Sequence, residues 1–269
     1  MLGKLMKHEF RATARLMVPL LAAVLALSVF SRIADSVTTN HNLYMVQRLL
    51  STLFVFGLFA AVIASVVLMA SRFQKNLMTD EGYLMFTLPV SVHGLLWSKL
   101  LVSVVWFIAV FAVDALALLI SFGSDVTSFT LGFNFGAFEG SFRDFFTIVN
   151  DISKSEFGVP ILVFGAELLG LGLLALVTGC LLFYAPISIG NSFAGHKTLL
   201  SVVFFFAIQF AFQIGSIWLI ASGTMTGATM RAANPAQYVI LIVFLTLLLF
   251  AAILYVITWL MLRWKRNLQ

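Results

Sequence analysis

Residues 49–70 read LLSTLFVFGLFAAVIASVVLMA, an uninterrupted stretch without a charged side chain. An α-helix needs roughly 20 apolar residues to cross a hydrocarbon core about 30 Å thick, and this stretch supplies them. The rest of the chain has the same character, because 61% of its 269 residues are hydrophobic and only 10% are charged. Soluble domains carry about 25% charged residues. The sequence therefore predicts an all-α, polytopic membrane protein.

Five further apolar runs flank this stretch. With it they predict six transmembrane helices, at about residues 16–33, 49–70, 100–122, 159–184, 199–220 and 238–262. The first run carries Pro19 in its first turn, where proline is tolerated. We expect this run to be retained as a span rather than removed as a signal peptide, because no convincing small-residue cleavage site follows it. Residues 1–269 are then a single transmembrane domain.

Basic residues are unevenly distributed between the two sides of the predicted spans. With the N-terminus inside, the inner segments hold Lys4, Lys7, Arg11, Arg15, Arg72, Lys75, Lys99, Lys197, Arg263, Lys265 and Arg266, and the outer segments hold Arg32, Arg48, Arg143, Lys154 and Arg231. Both termini are therefore expected in the cytoplasm. The net charge of +5 follows from this topology, and we predict no nucleic-acid partner from it.

Residues 1–15 are predicted to form an N-terminal interfacial amphipathic helix on the inner leaflet. At helical spacing one face holds Lys4, Lys7, Arg11 and Arg15, and the opposite face holds Leu2, Leu5, Met6 and Phe10. This pattern is typical of a helix whose cations meet the headgroups of membrane lipids. Glu9 departs from it by falling within the apolar arc. Its carboxylate either snorkels or pairs with a neighbouring arginine, or else it meets a partner protein.

The external segment 123–158 is rich in phenylalanine. Apolar and polar residues alternate over 129–135, which predicts a short strand or an extended hairpin. Ser141 is predicted to cap a helix that lies at the outer interface. The phenylalanines either rest on lipid headgroups and span ends or form an exit gate for an apolar substrate. The gate residues would be Phe133, Phe135, Phe142, Phe145 and Phe146.

Two acids and two amides fall inside predicted spans. Asp114 and Glu167 each lie about eight residues from the outer end of their span, so both are expected roughly 12 Å deep. Gln209 and Gln213 share one face of the fifth span near that level. Ionisable groups within a span are costly and indicate function by default. The four residues either tie helices together by hydrogen bonds or line a water-filled substrate path.

A polar interruption at residues 72–99 separates the second and third spans on the inner side. Thr79 or Asp80 is predicted to cap a short cytoplasmic helix that Pro89 ends, and Ser91 to cap the next helix. The short helix projects Tyr83, Leu84, Phe86 and Leu88 at helical spacing. A plain surface loop of this length rarely needs two caps and an aromatic face. The pattern therefore indicates that a partner docks there.

The same segment resembles a known family. The runs Asp80-Glu81-Gly82-Tyr83-Leu84, Thr87-Leu88-Pro89-Val90-Ser91 and Ser98-Lys99-Leu100 are similar to the loop between spans two and three in permease subunits of type-2 ABC exporters, in the small six-span form seen in many Gram-positive bacteria. In that family the loop carries a coupling helix, which seats in a groove of a separate ATP-binding subunit. The resemblance implies a contact region formed by Asp80, Glu81, Gly82, Tyr83, Phe86, Thr87, Leu88 and Pro89.

The resemblance covers nearly the whole chain, although the long external loop here follows span three instead of lying between the last two spans. It implies a permease of the bacterial cytoplasmic membrane that works with an ATP-binding subunit and a second, identical or paralogous permease subunit. The chain has no GxxxxGK[ST] phosphate loop, so ATP and Mg²⁺ are expected only in the partner and this chain is expected to be no enzyme. The expected cargo is amphiphilic: a hydrophobic peptide, an antimicrobial compound or a lipid-like molecule.

Two other functions fit the residues. A secondary transporter or channel would use Asp114 and Glu167 to bind protons or cations without an ATPase. A membrane immunity or sensor subunit would bind a toxin or a kinase and transport nothing. An ATPase gene beside this one would favour the exporter.

Overall fold

The structure, a computed structural model of the chain, describes residues 2–37, 44–78, 91–122, 135–193, 195–224 and 235–267. Within these ranges every regular element is helical. The elements are α1 (Leu2–Val37), α2 (Tyr44–Met78), α3 (Val92–Phe122), α4 (Phe135–Ile152), a π-helical turn (Ser153–Phe157), α5 (Ile161–Gly190), α6 (Lys197–Thr224) and α7 (Pro235–Asn267).

Six of these helices are long and apolar enough to cross a membrane, which confirms the prediction of six spans. The candidate spans are Leu5–Ala34, Tyr44–Met78, Val92–Ser121, Ile161–Gly190, Lys197–Trp218 and Gln237–Trp264. Most extend beyond the predicted apolar runs, because helical hydrogen bonding continues into the polar flanks. At 1.5 Å per residue α1 is about 54 Å long, well above the roughly 30 Å thickness of a hydrocarbon core.

A separate interfacial helix at residues 1–15 is not confirmed, since α1 runs unbroken from Leu2 to Val37. Pro19 consequently lies in the interior of a helix and not in its first turn. Its ring removes the N–H that would bond to the Arg15 carbonyl, and membrane helices tolerate this loss. The first turns of α1 pack on α3, where the Phe10 ring stacks on Trp106 with 4.8 Å between centroids. This packing holds the N-terminal residues in line with the span.

The chain forms two compact units, Met1–Phe133 and Asn134–Gln269, and each unit contains three of the six candidate spans. In the first unit α1 packs against both α2 and α3. Its core consists of residues that recur at helical spacing, among them Met17, Leu21 and Val24 on α1, Phe54, Ala61 and Met69 on α2, and Val102, Trp106 and Val110 on α3. A Cβ added at Gly57 would lie 3.1 Å from Leu27 Cδ1, so a small residue permits close approach of α1 and α2 there.

In the second unit α5 packs against both α6 and α7. Its buried residues all lie in its C-terminal half, between Thr178 and Gly190. On α7 the described buried residues begin at Ala251 and end at Leu262, again in the C-terminal half. The side chains in the N-terminal half of α5 are half-buried or exposed. Packing within this unit is therefore concentrated toward the C-terminal ends of α5 and α7.

The helix α4, in the segment predicted to be external, begins at Phe135, so the prediction that Ser141 caps it is wrong. Phenylalanines at positions 135, 138 and 142 follow a spacing of three and four residues, which continues the apolar stripe toward the N-terminus. The helix ends in the π-helical turn, and Gly158 follows at φ 66°, a conformation that glycine adopts without strain. The strand predicted over 129–135 lies outside the described residues, apart from Phe135, which is helical.

Gly190 marks the closest approach between α5 and α6. A Cβ added there would lie 2.6 Å from the backbone nitrogen of Ser201, which is too short for van der Waals contact. We expect Gly190→Ala to lower the free energy of unfolding by about 1–3 kcal/mol, the usual range for overpacking. Thermal unfolding of the detergent-solubilised chain measures the change.

Gly179→Ala is the matched control on the same helix, because nothing lies within 4 Å of a Cβ added at Gly179. It should leave stability unchanged or raise it by up to about 1 kcal/mol, since alanine favours the helix. Equal destabilisation by both variants would contradict the close α5–α6 approach.

Candidate functional site

The predicted coupling segment is described only at its two ends. All eight predicted contact residues, Asp80, Glu81, Gly82, Tyr83, Phe86, Thr87, Leu88 and Pro89, lie outside the described residues. Before the segment, α2 ends at Met78. After it, Ser91 caps α3 as predicted, because its Oγ accepts a hydrogen bond from the Gly94 N–H at 3.2 Å. The candidate site therefore consists, within the described residues, of the contacts that hold these two ends in place.

Three helices meet through polar side chains beside the segment. Glu9 Oε1 accepts hydrogen bonds from Lys99 Nζ and, at 3.1 Å, from Asn76 Nδ2. Glu9 lies on α1, Asn76 on the last turn of α2 and Lys99 on the second turn of α3. We call these three residues the Glu9 cluster. Both ends of the coupling segment are thus attached to the same carboxylate on α1.

The Glu9 cluster is largely shielded from solvent. The side chain of Lys99 is 5% exposed and that of Glu9 is 12% exposed. Two buried charges lose their hydration, and their mutual attraction offsets this loss only when the geometry and the surrounding hydrogen bonds are favourable. The second hydrogen bond, from Asn76, helps to satisfy the carboxylate. Such a pair contributes little net stability over apolar packing, but it penalises any arrangement that separates Glu9 from Lys99.

Further contacts connect α1 to the other two helices next to the Glu9 cluster. Arg72 Nη2 on α2 donates to the Ala12 carbonyl of α1 at 2.8 Å. Trp106 Nε1 on α3 donates to Thr13 Oγ1 at 3.0 Å, and Thr13 itself is buried. Together with the Phe10–Trp106 stack, these contacts lie within about one turn along α1 from Glu9. The N-terminal part of α1 is accordingly clamped between the two helices that flank the coupling segment.

The sequence had left the role of Glu9 open between an arginine neighbour or headgroup and a partner protein. The structure pairs it instead with Lys99, a residue of another helix that the sequence placed at the membrane interface. Asn76 was not singled out at all. The sequence does show two opposite charges, Glu9 and Lys99, each on an otherwise apolar helix face, and these could have suggested an ion pair. Nothing in the sequence, however, indicates that α1 and α3 are neighbours.

The four residues of the predicted substrate path do not form one described cluster. Asp114 lies on α3 in the first unit and is half-buried. Its Oδ1 is buried and has no hydrogen-bond partner among the residues that the structure describes. Glu167 lies on α5 in the second unit, whereas Gln209 and Gln213 lie exposed on α6. A shared depth for the two acids stays a prediction.

Glu167 contacts a residue that the sequence had not selected. Gln237, near the start of α7, donates from Nε2 to Glu167 Oε1. Two buried oxygens of this pair, Glu167 Oε2 and Gln237 Oε1, have no partner within the described residues. The Nε2–Oε1 hydrogen bond therefore leaves one buried oxygen of each side chain unsatisfied within the described residues. Gln237 was overlooked because it falls one position before the predicted sixth span.

The proposed external gate is described in part. Phe133 lies outside the described residues. The backbone at Phe135, Phe142 and Phe145 is helical and forms part of α4. Phe146 is exposed on the same helix. Within the described ranges there is no group of three or more histidine, cysteine, aspartate or glutamate side chains that could hold a metal ion.

The Glu9 cluster yields a direct stability test. Glu9→Gln leaves the buried Lys99 charge without its counter-ion, and Lys99→Met leaves the Glu9 carboxylate without its cation. We expect each single variant to lower the free energy of unfolding by about 3 kcal/mol or more. The double variant should lose clearly less than the sum of the two, and a double-mutant cycle on the detergent-solubilised chain measures that coupling.

Lys7→Met is the control for removal of a cation from α1, because Lys7 is exposed. Its effect should stay within about 0.5 kcal/mol. Strictly additive losses in the cycle would mean that Glu9 and Lys99 do not interact in the folded chain.

Comparisons with known proteins return no match: no family model, no curated protein sequence and no solved structure is similar to the chain at a significant level. The function is therefore argued from the chain's own residues and contacts.

Proposed function

We propose that the chain is the membrane-spanning permease subunit of an ATP-driven exporter of the bacterial cytoplasmic membrane. In this proposal both termini are cytoplasmic, and a separate ATP-binding subunit docks on the predicted contact region between Asp80 and Pro89. A second permease subunit completes the membrane part, and the cargo is amphiphilic. The resemblance of the coupling segment to type-2 ABC permeases supports this function, as do the six candidate spans.

The single observation that most favours the proposal is the attachment of both ends of the coupling segment to Glu9. A docked ATPase transmits work only if its docking site is mechanically connected to the spans. Here Asn76 lies near the start of the segment and Lys99 at its end, and both donate to the same carboxylate on α1. Because packed helices switch between discrete arrangements, a displacement of the segment would move α1, α2 and α3 together.

The Glu9 cluster also suits a moving element. Charge-assisted hydrogen bonds are strongly directional, so the three helix ends would shift as one body. Because the helices continue from the Glu9 cluster into the predicted spans, a shift of the cluster would be transmitted along them. At 1.5 Å per residue, Glu9 lies about 10 Å before Leu16, where the first predicted apolar run begins. The cluster would therefore lie at the cytoplasmic end of the first unit, between the ATPase and the hydrocarbon core.

Docking on the coupling segment can be tested by co-purification. The tagged full-length chain is isolated from its native membranes, and bound ATP-binding subunits are identified by mass spectrometry through their glycine-rich phosphate loop. We expect Glu81→Arg and Phe86→Asp each to reduce the bound subunit severely, because each places an unfavourable charge on the proposed contact face.

Asp144→Arg and Phe146→Asp are the matched controls, since they repeat the same chemical changes at exposed positions of α4. Both should retain the bound subunit. If Glu81→Arg and Phe86→Asp retain it equally well, docking on this segment is wrong.

A second candidate function, a proton-coupled secondary transporter or channel, is favoured by one observation. Glu167 and Gln237 share a hydrogen bond, and each keeps a buried oxygen without a partner in the described part of the chain. Buried oxygens without a hydrogen-bond donor are costly inside a membrane helix pair, and in this proposal a transported proton or cation relieves that cost. A group that binds a proton in this way is suited to a proton pathway.

Proteoliposomes that contain the purified chain and a pH-sensitive dye separate the two functions. In the second candidate function the chain conducts protons, and Glu167→Gln, alone or with Asp114→Asn, abolishes the flux. The glutamine keeps the hydrogen bonds to Gln237, so the variant should remain folded. Absence of proton flux from the unmodified chain would refute this function and leave the ATPase proposal intact.

A further inference from the structure

Among the spanning helices, α6 is the least covered by the rest of the chain. None of its described side chains is buried. Beyond the close approach of Ser201 to Gly190, phenylalanine rings on one side of α6 contact its neighbours. Phe205 stacks on Phe183 of α5 at 5.2 Å between centroids, and Phe212 stacks on Phe250 of α7 at 4.0 Å. The remaining circumference of α6 faces no described residue of this unit closely enough to bury a side chain.

Two polar side chains lie on that uncovered surface. Gln209 and Gln213 are both exposed, and at 3.6 residues per turn they fall on one face of α6. This face is roughly a quarter turn away from the side that carries Phe205 and Phe212. Around them α6 is apolar, with exposed Phe206, Phe210 and Ile217. Both amides lie within the candidate span Lys197–Trp218.

Hydrocarbon cannot satisfy these amides. A side-chain amide without a hydrogen-bond partner is costly in an apolar medium, and lipid tails offer neither donors nor acceptors. Polar side chains of this kind draw membrane helices together. A glutamine amide contains both an NH₂ donor and a carbonyl acceptor, so it is complementary to a second glutamine amide. The surface therefore matches a second copy of itself.

We propose that two copies of this chain pair through α6, with Gln209 and Gln213 at the contact. Copies that share one membrane orientation are related by a two-fold axis along the membrane normal, and such an interface brings the same patch of each copy together. The two α6 helices then run parallel, and each glutamine meets its own counterpart. This inference deepens the proposed function, because it names the helix face on which the second permease subunit docks. It rests on the proposed function in one respect, the expectation of two membrane subunits.

Disulfide cross-linking of the full-length chain in its native membranes tests the pairing. Cys180 is the only cysteine, so Cys180→Ala provides a cysteine-free background. Gln209→Cys and Gln213→Cys are then introduced separately, and the membranes are oxidised before solubilisation. Each variant should give a strong dimer band on a non-reducing gel, and a reductant should abolish it.

Ala211→Cys is the matched control. Ala211 is exposed, lies between the two glutamines in depth, and points to the opposite side of α6. Its dimer band should be several-fold weaker. Equal cross-linking at position 211 would reflect random collisions and would overturn the proposal. Absence of a dimer band at both glutamine positions would overturn it as well, and would mean that another part of the chain, another protein or lipid covers this face.

A second measurement does not depend on cysteine chemistry. Two differently tagged full-length copies should co-purify from the same membranes, and Gln209→Leu combined with Gln213→Leu should reduce this several-fold. Ala211→Leu should leave it unchanged. Undiminished co-purification of the double leucine variant would contradict the role of the amides. Neither assay needs the ATP-binding subunit, so loss of ATPase docking alongside intact pairing would refute only the proposed exporter.

Discussion

A polar side chain that is buried between helices or that faces hydrocarbon finds no water, and it must obtain its hydrogen bonds from protein. This constraint organises the polar residues of a chain that is otherwise 61% hydrophobic. In the first unit Glu9 binds Lys99 and Asn76, so that one acid ties three helices together. In the second unit Glu167 binds Gln237 and joins α5 to α7. Apolar packing brings the helices together, and these polar contacts penalise arrangements that would separate their partners.

The two units differ in how many of their described side chains are buried. In the first, the described core extends along α1 from Met17 to Val24, and Thr13 and Ser28 are buried beside it. In the second, the described buried residues are Ser153 and residues in the C-terminal halves of α5 and α7, and α6 has no buried side chain among those described. The first unit is thus suited to transmit movement from the coupling segment. The second presents an uncovered helix face that suits a further membrane subunit.

Much of the architecture could be predicted from the sequence because hydropathy and span length depend only on local composition. The six spans were found in this way, and so was the cap at Ser91, whose hydroxyl acts within its own turn. Local patterns were less informative where tertiary packing prevailed. The amphipathic residues 2–15 continue α1 because they pack on α3, and α4 begins at Phe135 ahead of the expected cap.

By itself the sequence determined that the chain has six helices long and apolar enough to span a membrane, with a polar interruption between the second and the third, since these features follow from the order of apolar and charged residues. The tertiary structure decided which polar groups meet. Glu9 and Lys99 are separated in sequence by the whole of α2, and Glu167 and Gln237 by the whole of α6. Which helices become neighbours depends on how their side chains interlock over many turns, and no local pattern in the sequence records that outcome.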